Sequence, residues 1–258
     1  MGFGILIIGD EILSGKRQDK HMARVIELLG RRGLELTWCR YVGDDGELLT
    51  RTLMETMASG DIVFSFGGIG ATPDDLTRQC AARAEGVALA RHPEAVAIIE
   101  EQFGAEAYPN RILMAELPEN ALLIPNPVNR IPGFSLGDHH FVPGFPQMAW
   151  PMVEWVLDTR YAHLHRDAKR VEEALWVLDM SESGLLPVME AVIRDHPRIK
   201  LYSLPHIAPD DRRHIELGVR GEADAVTAAM EALRAGLKGA GVAWQTTLPA
   251  DRYADGAE

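Results

Sequence analysis

The sequence predicts a doubly wound, mostly parallel α/β sheet domain followed by a small α+β domain of ferredoxin-like order. Three observations predict it. Short apolar runs alternate with helical periodicity three times before residue 70, the pattern of parallel strands joined by right-handed helical crossovers. Each of those runs ends in a glycine-containing acidic loop. After residue 171 the order becomes βαββαβ, that of the split ferredoxin-like unit.

Composition bounds the rest. A chain of 258 residues makes one large or two modest domains, and 47% hydrophobic residues is ample for a core. A net charge of −12 argues against a nucleic-acid or anionic-membrane surface. With only Cys39 and Cys80 there is no disulfide framework, and a reducing, cytoplasmic setting is expected. The longest apolar run near the start is too short for a signal peptide or a membrane span.

In chain order, Phe3–Ile8 (FGILII) is an unbroken apolar run ending at Gly9, as in a strand buried on both faces. The loop Gly9-Asp10-Glu11-Ile12-Leu13-Ser14-Gly15 follows. Asp19 is placed to cap a helix reaching about Leu29, with Met22, Val25, Ile26 and Leu29 on one face and Gly30 near its end. Leu34, Leu36 and Trp38 alternate as a second strand, which runs out in Val42-Gly43-Asp44-Asp45-Gly46. Leu49, Leu53 and Met57, four apart, predict a helix over 47–57. Ile62–Phe66 is a third strand, and it enters Gly67-Gly68-Ile69-Gly70-Ala71-Thr72-Pro73-Asp74-Asp75-Leu76-Thr77. There Thr72 suits a helix N-cap and Pro73 the first helical position, with Asp74 and Asp75 in the first turn.

Helices are expected next over Pro93–Phe103 and 111–117, then a short strand over 121–124 and a proline-rich loop. A hairpin pairs 134–136 with His139–Val142 about Gly137-Asp138. Pro143-Gly144-Phe145-Pro146 breaks the chain before a helix over 147–160, whose apolar face carries Trp150, Val153, Val156 and Leu157. Residues 1–160 form the first domain and 161–170 a polar linker, in which His163 and His165 read as solvated rather than metal-binding. The second domain, 171–248, takes strands at 172–179, 200–204, 215–219 and 242–246, and helices at 181–195 and 223–237. Residues 249–258 are expected to be a disordered tail.

The chemistry concentrates at the strand ends. Glycines there let a ligand approach the backbone, and a helix N-terminus attracts phosphate. Carboxylates would repel it, unless a divalent cation lies between them; Mg²⁺ is typically held by one or two carboxylates plus substrate phosphates. Asp10-Glu11, Asp44-Asp45 and Asp74-Asp75 all fall at the carboxyl end of a strand. Helix capping and solvation explain any one pair; the three together, beside a glycine turn, point to a metal-bridged phosphate or pyrophosphate. Such a metal lowers the pKa of a bound water for attack on phosphorus, which a further carboxylate can orient. Binding without turnover fits the same parts. Other chemistries lack their motifs: there is no G-x-x-x-x-G-K-[ST], no G-x-G-x-x-G and no local Ser-His-Asp set. Gly30-Arg31-Arg32-Gly33 and Gly218-Val219-Arg220-Gly221 match GxxG only formally, and RNA binding is not expected of so acidic a chain. Cys39 and Cys80 read as buried small hydrophobes.

Gly9-Asp10-Glu11-Ile12-Leu13-Ser14-Gly15, Val42-Gly43-Asp44-Asp45, Gly67 through Thr77 and Pro143-Gly144-Phe145-Pro146 together resemble the MoaB/Mog-type molybdopterin-binding domain. The version is the one found at the N-terminus of competence/damage-inducible protein CinA. The resemblance covers roughly residues 4–157. Met180-Ser181-Glu182-Ser183-Gly184 is similar, more weakly, to the small domain that follows in CinA. The resemblance implies a doubly wound α/β fold and a magnesium-assisted site that adenylylates molybdopterin or handles its adenylylated form. In CinA-like proteins it implies metal-dependent hydrolysis of ADP-ribose-type pyrophosphates. By motif position Asp44 and Asp75 match the catalytic acids, and Gly67, Gly68 and Gly70 the phosphate-facing turn. Ala71 stands where the family usually has Pro, and His21, which reads as a helix-surface residue, where it has Asn. The CinA deamidase domain is not within the 258 residues, so pyridine-nucleotide deamidation is not expected.

Three functions are therefore carried forward. The first is a metal-dependent dinucleotide pyrophosphatase with Asp10, Asp44, Asp74 and Asp75 around Mg²⁺ or another divalent cation. Its ligand-binding positions are Gly9, Asp10, Glu11, Gly67, Gly68, Gly70, Thr72, Pro143 and Gly144. The second is a molybdopterin-binding or adenylyl-transferring protein of cofactor biosynthesis, and the third a regulatory or oligomerising module. A phosphorylated small molecule is the expected partner and a homo-oligomer the expected state.

Overall fold

The computed structural model describes residues 1–166, 170–207 and 213–247. Two compact units divide the chain, Met1–His165 and Arg166–Glu258.

The first unit runs β1 (Phe3–Ile8), α1 (Asp10–Leu13), α2 (His21–Gly30), β2 (Leu36–Val42), α3 (Gly46–Ala58), β3 (Ile62–Phe66), α4 (Thr77–Glu85), β4 (Leu89–Arg91), α5 (Pro93–Phe103), β5 (Glu116–Pro118), β6 (Leu122–Ile124), β7 (Gly133–Leu136), β8 (His139–Val142) and α6 (Pro146–Arg160). Its main sheet has the order β2-β1-β3-β8-β7-β6. β1 is parallel to β2 and β3, β3 is parallel to β8, and β7 runs antiparallel to β8 and β6. The sheet is doubly wound and mostly parallel, as expected. The apolar run of β1 explains why both faces are covered. Ile5 and Ile7 pack with Val25, Leu29, Met152 and Val156 from α2 and α6. Leu6 and Ile8 pack with Leu49, Leu53 and Cys80 from α3 and α4. Each such fully buried side chain contributes about 1.5–3 kcal/mol. Because α2 and α3 cover opposite faces, the winding reverses between β1 and β3, and a crevice opens beyond their carboxyl ends. Gly9 and Gly67 stand there.

Several local expectations change. The Gly9–Gly15 loop contains the short helix α1. Asp19 does cap α2, accepting from the backbone N–H groups of His21 (2.8 Å) and Met22 (3.1 Å). The buried stripe of α2 is His21, Val25, Leu28 and Leu29, however, while Met22 and Ile26 are 38% and 45% exposed. The inward packing of His21 rotates the helix, which corrects its reading as a surface histidine. Residues 111–117 form not a helix but a 3-10 turn, Arg111–Ala115, followed by β5. There Glu116–Pro118 pairs with β4, and that tertiary pairing outweighs the local helical pattern. Cys80 is buried and Cys39 only partly so.

Residues 161–165, read as the start of a linker, pack on the first unit. Tyr161 is buried, and its hydroxyl donates to Asp138 (2.6 Å). His140 Nε2 lies 2.7 Å from the same hydroxyl, and His140 Nδ1 lies 2.8 Å from Ser135 Oγ. His165 Nε2 donates to the Leu157 carbonyl (3.1 Å).

The second unit comprises β9 (Val171–Leu178), α7 (Glu182–Asp195), β10 (Lys200–Ile207), β11 (Arg213–Gly221), α8 (Ala223–Gly239) and β12 (Trp244–Gln245). Its strands are antiparallel in the order β10-β11-β9-β12, which is the ferredoxin-like arrangement. Leu175, Val177, Leu217 and Val219 form its core with Leu185 and Val192 from α7 and Val226, Met230, Leu233 and Leu237 from α8. Met189, expected inside, is only partly buried. The expected tail, 249–258, lies outside the described residues. Among the described residues no helix is long and apolar enough to cross a membrane.

Candidate functional site

The glycine turn is built differently from the sequence reading. The helix after it begins at Thr77, with Leu76 as its N-cap, not at Pro73 with Thr72 as the cap. Residues 72–75 form a tight turn instead. Asp75 N–H donates to the Thr72 carbonyl (3.0 Å). Thr72 returns two bonds to Asp75 Oδ2, from its N–H (2.9 Å) and its hydroxyl (2.6 Å). Asp74 and Asp75 therefore precede the helix and do not offset its dipole. What fixes the helix start is the grip of its first two residues on the turn. Thr77 N–H donates to the Gly68 carbonyl (3.0 Å), Thr77 Oγ1 to the Gly67 carbonyl (3.0 Å) and Arg78 Nη2 to the Gly70 carbonyl (2.7 Å). Three carbonyls are thus held from behind.

Two glycines are obligatory here. Gly67 has φ +104° and a Cβ on it would sit 2.4 Å from the Ile8 carbonyl oxygen. Gly68 has φ +67° and its Cβ would sit 2.2 Å from Thr77 Oγ1. L-residues disfavour both conformations.

The other strand ends bring an acidic shelf beside the turn. Asp10 N–H donates to Asp44 Oδ2 (2.9 Å) and Asp44 N–H to Asp10 Oδ1 (3.1 Å), a reciprocal brace between the ends of β1 and β2. Asp45 is a structural residue: it is the N-cap of α3 and accepts from Leu48 N–H (2.7 Å). Partial burial pushes the Asp44 carboxyl up; the Asp10 N–H opposes this, and the charges of Asp10, Glu11 and Asp74 reinforce it. Asp74 is exposed and is held below the usual carboxylate range by hydrogen bonding within the turn.

The turn also lines a cavity of about 400 Å³. Gly68, Gly70, Thr72 and Asp75 form its polar wall, and Pro143 and Gly144 close one end. Phe103, Met114, Ile131, Phe145 and Met148 supply an apolar wall, and Asn126 and Asn129 add amides. Six predicted positions thus meet at one cavity. Gly67 stands behind it, close to Gly144, whose Cβ would lie 3.5 Å from Gly67 Cα. Gly9, Asp10 and Glu11 do not line the cavity; they belong with Asp44 to the shelf. Among the described residues no three His, Cys, Asp or Glu side chains converge as a ready-made metal cage. The donors fit a hard cation held by one or two carboxylates and completed by ligand oxygens. His163 and His165 take no part.

Two features of the site were not read from the sequence. Arg78 is 2% exposed and spends its donors on carbonyls, those of Gly70, Glu116 (3.0 Å) and Leu113. Burial lowers its pKa and the Asp75 charge opposes that shift. A cation in a helix's first turn, against the dipole, was the available signal. The apolar wall, gathered from α5, a 3-10 turn, two loops and α6, left no local signal.

A family model described as "Probable molybdopterin binding domain" matches residues 4–163. A CinA-like protein of Syntrophotalea carbinolica is 35% identical over 190 residues, 70% of this chain and 46% of its own length. One from Citrifermentans bemidjiense is 32% identical over 209 residues, 78% of this chain and 50% of its own. The chain spans about half the length of these curated relatives. A solved structure described as the protein CinA with unknown function, from Thermoplasma acidophilum, superposes with TM-score 0.56 at 27% identity, covering 61% of this chain and 96% of that one. These relatives carry the resemblance that the strand-end motifs raised, and the matched span holds the whole site just described. The chain belongs to the molybdopterin-binding domain family, in a form similar to CinA-like proteins.

Proposed function

We propose that the first unit binds a nucleotide- or pterin-type phosphate ligand at the Gly67–Asp75 turn and, with a divalent cation, hydrolyses the pyrophosphate of an ADP-ribose-like dinucleotide. The observation that carries this reading is the acidic shelf beside the turn. Burial first, and then the charges of Asp10, Glu11 and Asp74, raise the Asp44 carboxyl; a cation relieves that repulsion and an anionic ligand alone would worsen it. Asp44 and Asp74 would hold Mg²⁺, with Asp10 and Asp75 flanking. When bound, such a cation neutralises phosphate charge and acidifies a coordinated water. The chain's own residues do the rest. Thr77 and Arg78 keep the turn's carbonyls turned back; the N–H groups of Gly67, Thr72 and Asp75 are already engaged, which leaves those of Gly68 and Gly70 to meet phosphate oxygens. Thr72 engages one oxygen of Asp75, leaving the other to accept a proton from the attacking water. A P–O bond forms from that water, the bridging P–O bond breaks, and AMP and ribose 5-phosphate leave.

Incubation with ADP-ribose or FAD and Mg²⁺ or Co²⁺ tests the reading. AMP release is expected, falling at least about 10²-fold in Asp75→Asn, as for loss of a general base. No AMP release with any metal overturns the hydrolase. The apolar wall also supports a second reading. Phe103, Met114 and Phe145 suit any flat heteroaromatic ring, and the family description favours a pterin. A fluorescent pterin co-purifying with the protein would decide for molybdopterin binding or adenylyl transfer. A non-catalytic regulatory module is favoured if Asp75→Asn leaves every ligand affinity unchanged.

A further inference from the structure

His21 sits where three strand-end segments meet. It begins α2, its backbone N–H is held by Asp19, and its side chain is only 5% exposed. The ring stacks on Phe66, with centroids 4.3 Å apart and planes at 26°. Phe66 is the last residue before Gly67. On its other side, His21 Nε2 is 3.1 Å from the Gly144 carbonyl oxygen. A carbonyl only accepts, so Nε2 carries the proton. Nδ1 is buried without a partner, and burial lowers the pKa, so the ring is neutral. One neutral imidazole therefore joins the end of β3 to the Pro143–Phe145 loop.

That loop is a wall of the site. Pro143, Gly144 and Phe145 line the cavity, and Gly144 approaches Gly67 closely. In a trans peptide the N–H points opposite to the C=O. By drawing the Gly144 carbonyl toward α2, His21 turns the Phe145 N–H to the other side of the peptide. The Phe145 carbonyl then receives Met148 N–H (3.0 Å) and Ala149 N–H (2.9 Å), closing the first turn of α6.

We propose that His21 is a positioning residue of the ligand site: its Nε2–H fixes the Gly144 peptide, and with it the loop that closes the cavity over a phosphate-bearing ligand. The ligand half of this inference rests on the proposed function; the loop-positioning half does not.

Two variants separate the donor from the bulk of the ring. His21→Gln keeps an N–H at the same number of bonds from Cα, whereas His21→Leu removes it. Hydrogen exchange read by mass spectrometry, without ligand, should show at least tenfold faster exchange at residues 144–149 in His21→Leu. Exchange in β1 should be unchanged, which separates loop positioning from general loosening of the fold. Binding of ADP-ribose with Mg²⁺, by calorimetry, should weaken at least tenfold in His21→Leu. His21→Gln should stay within about threefold of wild type in both measurements. If His21→Leu does not fold, His21→Phe, which keeps a ring on Phe66 without the donor, takes its place. Unchanged exchange at 144–149, or equal failure of His21→Gln and His21→Leu, overturns the proposal. If the wild type binds no ADP-ribose, the proposed function fails on that result, and the exchange comparison alone decides the role of His21.

Discussion

Single residues at this site separate cleanly into those that shape backbone and those that face a ligand. Gly67 shapes backbone. Its φ of +104° and the 2.4 Å approach of a Cβ to the Ile8 carbonyl oxygen mean that Gly67→Ala forces the turn away from β1. The expected cost is about 1–3 kcal/mol, the range for a non-glycine residue held in a sparsely populated conformation, read as a lower urea midpoint. An unchanged midpoint would contradict the geometry. Asp44 and Asp45 are neighbours with opposite roles. Asp45 closes the N-terminus of α3 through Leu48 N–H, whereas Asp44 faces Asp10 and the field of Glu11 and Asp74. Loss of an N-cap costs about 1 kcal/mol. Asp45→Ala should therefore lower stability by about that amount and leave ligand affinity unaltered, whereas a ligand-facing acid would change affinity first. Nothing in the dipeptide itself distinguishes its two members; the helix start and the reciprocal brace with Asp10 do.

Among the elements, β1, α3, β3 and α5 were legible because their patterns are local. Six apolar residues in a row, or leucines four apart, report burial whatever surrounds them. The start of α4 was not legible. Thr72-Pro73-Asp74-Asp75 has every mark of a helix N-terminus, yet Thr77 and Arg78 bond the carbonyls of Gly67, Gly68 and Gly70 and move the start four residues on. The segment 111–117 shows the same competition, since a strand partner at Leu89–Arg91 outweighs a weak helical pattern. The stripe of α2 failed for a related reason. Met22 and Ile26 are apolar enough to be inside, but burial of His21 against Phe66 sets the helix phase.

At the scale of the whole molecule, the first unit carries buried titratable groups that tie its stability to pH. His139 and His140 lie on β8 inside the sheet; burial holds His139 down to about 3 and His140 well below its ordinary value. An unfolded histidine titrates near 6.5, so between these values the unfolded state binds more protons than the folded one. For His139 the stabilisation from keeping the ring neutral is fully present above pH ~6.5 and is lost as pH falls toward ~3, at up to about 1.4 kcal/mol per pH unit, and His140 acts in the same direction. Urea unfolding at pH 7 and pH 5 should show that loss, and equal stability at both would refute it. The second unit has its own core of Leu175, Val177, Leu217 and Leu233, and none of the candidate site residues lies in it.

The sequence by itself determined the alternation of strand and helix, the doubly wound class, the ferredoxin-like order of the second unit and the placement of acids and glycines at strand ends. Those features are written in short-range periodicity and in residue types with few conformational alternatives. Only the tertiary structure decided which strand ends meet, because the reversal between β1 and β3 depends on which face each helix covers. It also split the acids into a brace, a cap and a shelf, buried Arg78 behind the glycine turn, assembled an apolar wall from segments dozens of residues apart, and turned His21 inward onto Phe66 and Gly144. Each depends on partners distant in the chain, which no local window of sequence contains.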